Sequence, residues 1–159
     1  MDIVIRKATP TDLPALQKLG TELMLSEARF DPLLDKQWYL SEHGAEYLLN
    51  EIRGTDHICF VAQAEDELIG YASCKIVAED TSRPGKRAEL DNLVVTEQYR
   101  GHGAGHQLVA TFKQWAKEQG ATKVRLVANA LNEDALRFYG ANGFKDFQVI
   151  IEADLLNEN

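Results

Sequence analysis

Gln98-Tyr99-Arg100-Gly101-His102-Gly103-Ala104-Gly105-His106 sets three glycines at alternate positions between two runs of different period. Before it, Ala88-Glu89-Leu90-Asp91-Asn92-Leu93-Val94-Val95 reads as a strand despite its polar first half. After it, Leu108, Phe112, Trp115 and Ala116 recur at helical spacing, and Gly120 closes the run. A strand entering a helix through such a turn leaves the first helical N–H groups without intrahelical partners, with the positive end of the helix dipole behind them. With no Cβ in the way an anionic group can come close enough to bond them, so the turn suits a diphosphate. Each N–H bond to a charged oxygen contributes roughly 1.5–3 kcal/mol. The dipole adds only about 0.3–1 kcal/mol, so the backbone donors dominate. Arg100, Gly101, His102, Gly103, Ala104, Gly105 and His106 are the expected anion-binding set, Arg100 adding a charged contact. The His102 and His106 side chains read equally as solvated groups, and a glycine-rich turn by itself also fits plain chain reversal.

Upstream, Ile3–Ala8 reads as a strand. Thr9 caps a helix with Pro10 at its first position, and Leu13, Leu16, Leu19, Leu23 and Met24 carry the helical spacing to about Glu27 or Ala28. Arg29 to Leu40 is a loop; Ser41 then caps a second helix stopped by Gly54. His57–Ala62 and Leu68–Cys74 form a hairpin, and Glu79–Lys86 is a polar loop. Downstream, Lys123–Ala128 is a strand, Asn132 caps a short helix, and Phe144–Ala153 reads as the last strand. The order β-α-α-β-β-β-α-β-α-β predicts one α/β domain over residues 1–159, with a right-handed parallel crossover around the glycine turn.

Lys and Arg number 17 against 25 Asp and Glu, a net charge of −8 without any basic stripe, which argues against nucleic acid as a partner. The acidic balance favours cationic over anionic small substrates. There is no apolar run near 18 residues, and the Met1–Arg6 opening lacks a basic-then-apolar pattern. A cytoplasmic protein without a membrane partner is therefore expected. Cys59 and Cys74 fall in the hairpin strands and read as packed, reduced thiols, with facing each other across the hairpin as the alternative. No Cys/His set has zinc spacing, so no metal is expected.

Two nucleotide folds fit poorly. A Walker loop needs Gly-Lys-Ser/Thr, whereas His106-Gln107 follows Gly105; a Rossmann turn needs G-x-G-x-x-G with an acid about 20 residues on. Instead, Arg100-x-x-Gly103-x-Gly105 after Leu93-Val94-Val95 resembles the coenzyme A signature of the GNAT (general N-acetyltransferase) superfamily. Asn132-x-x-Ala135-x-x-Phe138-Tyr139-x-x-x-Gly143-Phe144 is similar to the later motif of that family, and the Ile3–Asp12 opening to its usual start. The resemblance implies the GNAT acyl-CoA N-acyltransferase fold: a mixed, mostly antiparallel central sheet with helices on both faces and a V-shaped gap between central strands. It implies acetyl-CoA as cosubstrate, with pantetheine bonding the strand at Leu93, Val94 and Val95, and with Asn132, Ala135 and Phe138 near it. It places Tyr139 close to the thioester sulfur.

An alkyl ammonium of pKa ~10.4 costs roughly 4–5 kcal/mol to deprotonate at neutral pH, so the transfer needs a proton exit. Glu89 and Asp91 are expected on one face of the strand, with Leu93 and Val95. Glu89 is the expected base, since the family often places an acid there; the bland alternative is that both are solvated or ion-paired. Tyr139 is the expected proton donor to the leaving thiolate, with a satisfied core tyrosine as its alternative. Direct attack needs no acyl-enzyme.

On the acceptor side, Glu22, Arg29, Trp38, Tyr39 and Asp91 are expected to line the amine pocket. Trp38 and Tyr39 read either as a cation–π surface or as a hydrophobic plug. The leading expectation is an N-acetyltransferase acting on a primary amine, with a small cationic molecule favoured over a peptide. A protein N-terminal or lysine acetyltransferase and a non-catalytic coenzyme A sensor are the other readings. Dimers are common in the family, and the Phe144–Leu156 end is the segment expected to contribute to one.

Overall fold

The computed structural model describes residues 1–156. The chain runs β1 (Ile3–Lys7), α1 (Leu13–Glu27), α2 (Glu42–Arg53), β2 (His57–Ala64), β3 (Glu67–Val77), β4 (Arg87–Val95), α3 (Ala104–Glu118), β5 (Lys123–Leu126) and α4 (Glu133–Ala141). Local chemistry sets the corners. Arg6 grips Asp12 through Nη1–Oδ2 at 2.8 Å and Nη2–Oδ1 at 2.9 Å, while the Thr9 N–H donates to the same carboxylate at 2.8 Å. This bidentate pair fixes the entry from β1 into α1. Ser41 Oγ accepts from the Gly44 N–H at 3.1 Å and starts α2.

The sheet order is β1-β2-β3-β4-β5. The first four strands are antiparallel neighbours, and β5 lies parallel to β4. Apolar cores fill both faces. Ala62, Ala72, Cys74, Leu90, Leu108 and Phe112 pack between the sheet and α3. Leu16, Leu19, Leu48, Val61, Tyr71 and Val94 pack under α1 and α2. Cys59 and Cys74 belong to opposite cores, so they do not face each other, and both are free.

Two features of β4 shape the site. β3 pairs along it from Val77↔Arg87 to Gly70↔Val95, but β5 pairs only with Arg87–Leu90. From Asp91 onward the β5-facing edge of β4 is open, which is the V. Ser73 lies opposite Asn92 while Cys74 lies opposite Leu90, so Asp91 is the extra residue of a β-bulge. The bulge corrects the expected facing. Leu93 and Val95 turn toward α3, while Glu89, Asp91, Asn92 and Val94 lie on the side of α1 and α2.

The expected last strand is also corrected. Residues 144–153 join no ladder, and β5 stops at Leu126 rather than Ala128. No described helix is long and apolar enough to cross a membrane.

Candidate coenzyme and acceptor site

Gly101 (φ +79°) and Gly103 (φ +91°) hold left-handed backbone. No neighbour lies within 4 Å of a Cβ built at Gly101, so conformation rather than space requires glycine there. The first helical bond of α3 runs from the Gln107 N–H to Gly103 O at 3.0 Å. The N–H groups of residues 101–106 donate no hydrogen bond among the described residues. The Arg100 N–H differs from the expected set, because it already donates to Glu97 O at 3.2 Å. The Arg100 side chain donates through Nε to Val95 O at 2.9 Å, tying the turn to the end of β4. His102 Nδ1 lies 3.0 Å from Arg100 O, and His106 Nδ1 lies 2.9 Å from Asn142 Oδ1 with its ring beside Phe138. Both imidazoles are engaged with the protein, so the amides of these residues, including Ala104 and Gly105, are what the turn offers.

The turn lies at the end of the open edge of β4. Leu93, Val94 and Val95 border that gap with main-chain groups, an arrangement that can take an extended, amide-bearing arm as an added strand. α4 packs onto the start of α3: a Cβ on Gly105 would sit 3.1 Å from Phe138 Cζ. Asn132 caps α4, its Oδ1 accepting from the Ala135 N–H at 3.1 Å and its Nδ2 donating to Glu27 Oε1 at 3.0 Å. These bonds leave one amide hydrogen of Asn132 for a ligand. Tyr139 is half-buried between Phe138 and Phe144, at ring distances of 5.3 and 5.8 Å. Burial, and secondarily the charge of Glu27, push its phenol up to about 12.

Glu27 was not among the expected site residues. It is the last residue of α1, where the helix dipole disfavours an acid, and that misplacement was the available sequence signal. Glu89 is tied more firmly than expected. Its Oε1 takes Arg125 Nη2 at 2.5 Å and Nε at 2.7 Å, and its Oε2 lies 3.5 Å from Lys75 Nζ. Asp91 holds the same Lys75 at 3.0 Å. Burial works against the Lys75 charge, but the two carboxylates outweigh it and raise its pKa above the usual value.

Beside these charges, Tyr39 Oη donates to Asn92 Oδ1 at 3.3 Å, and Asn92 Nδ2 donates to Tyr47 Oη at 2.7 Å and Ser73 Oγ at 2.9 Å. Tyr39 is 2% exposed, packed against Trp38, Tyr47 and Gly20. It is a plug with a polar tip rather than a cation–π surface, and Trp38 is part of the same aromatic cluster. The structure does not bring Glu22 and Arg29 here. Glu22 borders a surface groove with Lys18, Leu68, Thr96 and Gln98. It lies five residues from Glu27, about 140° around the helix. Arg29 donates to Ser26 O at 3.0 Å and stacks on Phe30. Of the expected acceptor set, Asp91 and Tyr39 share a neighbourhood, joined by Tyr47 and Asn92.

A chain with a strand edge left open beyond β5, a glycine turn of unpartnered amides and a tyrosine-bearing helix packed on the start of α3 has known counterparts. Residues 18–144 match the acetyltransferase (GNAT) family, and the chain belongs to it. It is 30% identical over 142 residues to dTDP-fucosamine acetyltransferase of Escherichia coli O6:H1, covering 86% of this chain and 56% of that protein. The chain thus spans about half the length of the curated relatives it matches. Its fold is similar to that of a tetramutant of the BH1408 protein from Bacillus halodurans, with a TM-score of 0.87 at 20% identity over 96% of this chain and 99% of that one. It is also similar to an aminoglycoside acetyltransferase, meta-AAC0020, from an uncultured soil metagenomic sample, in complex with sisomicin. That match has a TM-score of 0.70 at 22% identity and covers 96% of each chain.

Proposed function

We propose that this chain transfers acetyl from acetyl-CoA to a primary amine of a small cationic molecule. The observation that carries this is the alignment of the unpartnered amides of residues 101–106 with the open edge of β4. Together they suit a diphosphate joined to an extended amide-bearing arm. The net charge of −8 supports a cationic acceptor. The names of relatives acting on an amino sugar and on aminoglycosides support a small one.

Acetyl-CoA supplies an acyl group on a thiol leaving group. The amine nitrogen forms a bond to the acyl carbon, the carbon–sulfur bond breaks, and the products are an amide and coenzyme A. The acceptor ammonium must first lose a proton, at roughly 4–5 kcal/mol. Both oxygens of Glu89 already face cations, which favours a fixing role on β4 and β5 over a base. Glu27 takes one hydrogen bond, from Asn132, and its charge reaches Tyr139. In this reading Glu27 anchors the ammonium and accepts its proton directly or through a water, while Asp91 flanks the pocket. Tyr139 donates its hydroxyl hydrogen bond to the departing sulfur. At a pKa of about 12 its phenol is a weaker acid than a thiol of ~8.5, so it stabilises the thiolate while solvent supplies the final proton.

Thiol release from acetyl-CoA with polyamines, aminoglycosides, amino acids and short peptides tests the reading. Turnover restricted to small cationic amines supports it. Turnover only with peptides would replace it with a protein acetyltransferase, and tight binding without release under any acceptor would replace it with a sensor.

A further inference from the structure

Arg87 and Lys123 are Cα partners where β4 and β5 run parallel. Their neighbours Ala88 and Val124 pack into the core under α3, so both cations turn to the opposite face, that of Glu89 and Asp91. The core under α1 and α2 takes Val94 from β4 and nothing from β5 among the described residues, so it stops short of this end of the sheet. Adjacent strands lie roughly 5 Å apart, and like charges directly opposite each other are destabilising. Acids outnumber bases 25 to 17 in this chain, yet neither cation makes an ion pair among the described residues. The Nε of Arg87 is buried and donates to nothing. The acids within reach are committed elsewhere. Glu89 is held by Arg125 and Lys75. Asp80, whose carboxyl feels the Arg87 charge, accepts from the Ser82 and Arg83 N–H groups, at 2.8 Å each. Arg83, brought beside Asp80 by that turn, lies over the Phe147 ring rather than against a carboxylate.

We propose that Arg87 and Lys123 form a binding site for a phosphate-type dianion, with Arg125 and Arg83 at its margins. A guanidinium offers a planar fork to two phosphate oxygens, and an ammonium offers a point charge to a third. Such a ligand satisfies the Arg87 Nε and removes the repulsion between two cations that the fold sets side by side. The site is distinct from the glycine turn, because Arg87 and Val95 are opposite ends of β4, roughly 25 Å apart. Asp91 lies between them, on the same face as Arg87. A phosphate here is therefore either a free anion or the far end of an acceptor whose amine reaches Asp91, on the order of 10 Å away. The second source rests on the proposed acetyl transfer; the first does not.

Calorimetry with inorganic phosphate, at constant ionic strength and with coenzyme A saturating to keep phosphate off the glycine turn, is expected to give one site of millimolar affinity. The Arg87→Gln/Lys123→Gln variant is expected to bind phosphate roughly 10- to 100-fold more weakly, with its circular dichroism and its affinity for coenzyme A unchanged. Lys123→Gln alone, at an exposed position, is expected to show an intermediate loss and serves where the double variant does not fold. Aminohexyl phosphate and hexylamine distinguish the two sources. A kcat/KM that favours the phosphorylated amine in the wild type and not in the double variant assigns the site to the acceptor. Equal turnover of the two amines, with phosphate binding intact, assigns it to a free anion. A chain that acetylates neither amine but binds phosphate leaves the anion site standing and removes the acceptor reading alone. No phosphate binding at tens of millimolar, or equal binding by the wild type and both variants, would overturn the proposal.

Discussion

Tyr139 sits where burial and the Glu27 charge both oppose ionisation, so its phenol stays protonated across any working pH. Tyr139→Phe should lower kcat about 10²-fold in steady-state assays while leaving KM for acetyl-CoA within a few-fold, the pattern of an interaction made only as the sulfur departs. The alkaline limb of the wild-type profile should show no inflection from this phenol below pH ~11. Glu27→Gln tests the proton exit. It should reduce kcat/KM for the amine about 10²-fold near neutrality. The loss should shrink as pH rises, since the free-amine fraction grows about tenfold per pH unit below the amine pKa. A merely structural Glu27 would leave the shape of the profile unmoved. Asp12 makes a different statement about pH. The hydrogen bond from Arg6 lowers its carboxyl against the opposing effect of burial, with help from the Thr9 amide. A depressed carboxyl contributes stability above its unfolded pKa of ~3.9, and that contribution disappears as pH falls through the folded value. Asp12→Asn should therefore cost about 1–3 kcal/mol in denaturant unfolding at pH 6, with the gap to wild type narrowing below pH ~4.

At the level of elements, substitutions in the glycine turn and at the α3–α4 contact should separate binding from turnover. Gly101→Ala forces a side chain into left-handed backbone at about 1–2 kcal/mol, with open space around it. Calorimetry should show acetyl-CoA binding roughly 5- to 30-fold weaker, with the turnover of the saturated enzyme nearly unchanged. Gly105→Ala presses instead on Phe138, next to Tyr139, so it should lower kcat more than it weakens binding. The turn was legible in the sequence because its information is local: the spacing of Gly101, Gly103 and Gly105 and the switch from strand to helix period. The caps at Ser41 and Asn132 were legible for the same reason. The facing of β4 was not, because the simple alternation Glu89, Asp91, Leu93, Val95 hides a bulge set by the pairing of Asn92 with Ser73 on β3. Glu27 reaches the site only through the packing of α1 against Asn132, which lies 105 residues away. Residues 144–153 carry a strand's apolar stripe, but a ladder needs an edge as well as a pattern, and no edge in this chain meets them.

The whole molecule adds a field to these local contacts. A net charge of −8 repels an anionic cosubstrate at long range and attracts a cationic acceptor, whereas the groups proposed to meet the diphosphate are neutral amides acting at contact distance, with Arg100 beside them. The Debye length shrinks from ~30 Å at 0.01 M salt to ~10 Å at 0.1 M, so added salt removes the distant field and spares the contacts. The two substrates should therefore respond in opposite senses across that range. The KM of a polycationic acceptor should rise roughly 3- to 10-fold, within the range of electrostatic steering, while acetyl-CoA binding stays level or tightens slightly. An uncharged amine of similar size serves as the control and should show little change. Titrating each substrate with the other saturating separates the two effects. If acetyl-CoA instead weakened steeply with salt, the diphosphate would be held by fixed positive side chains, and the amides of residues 101–106 could not be its main partners.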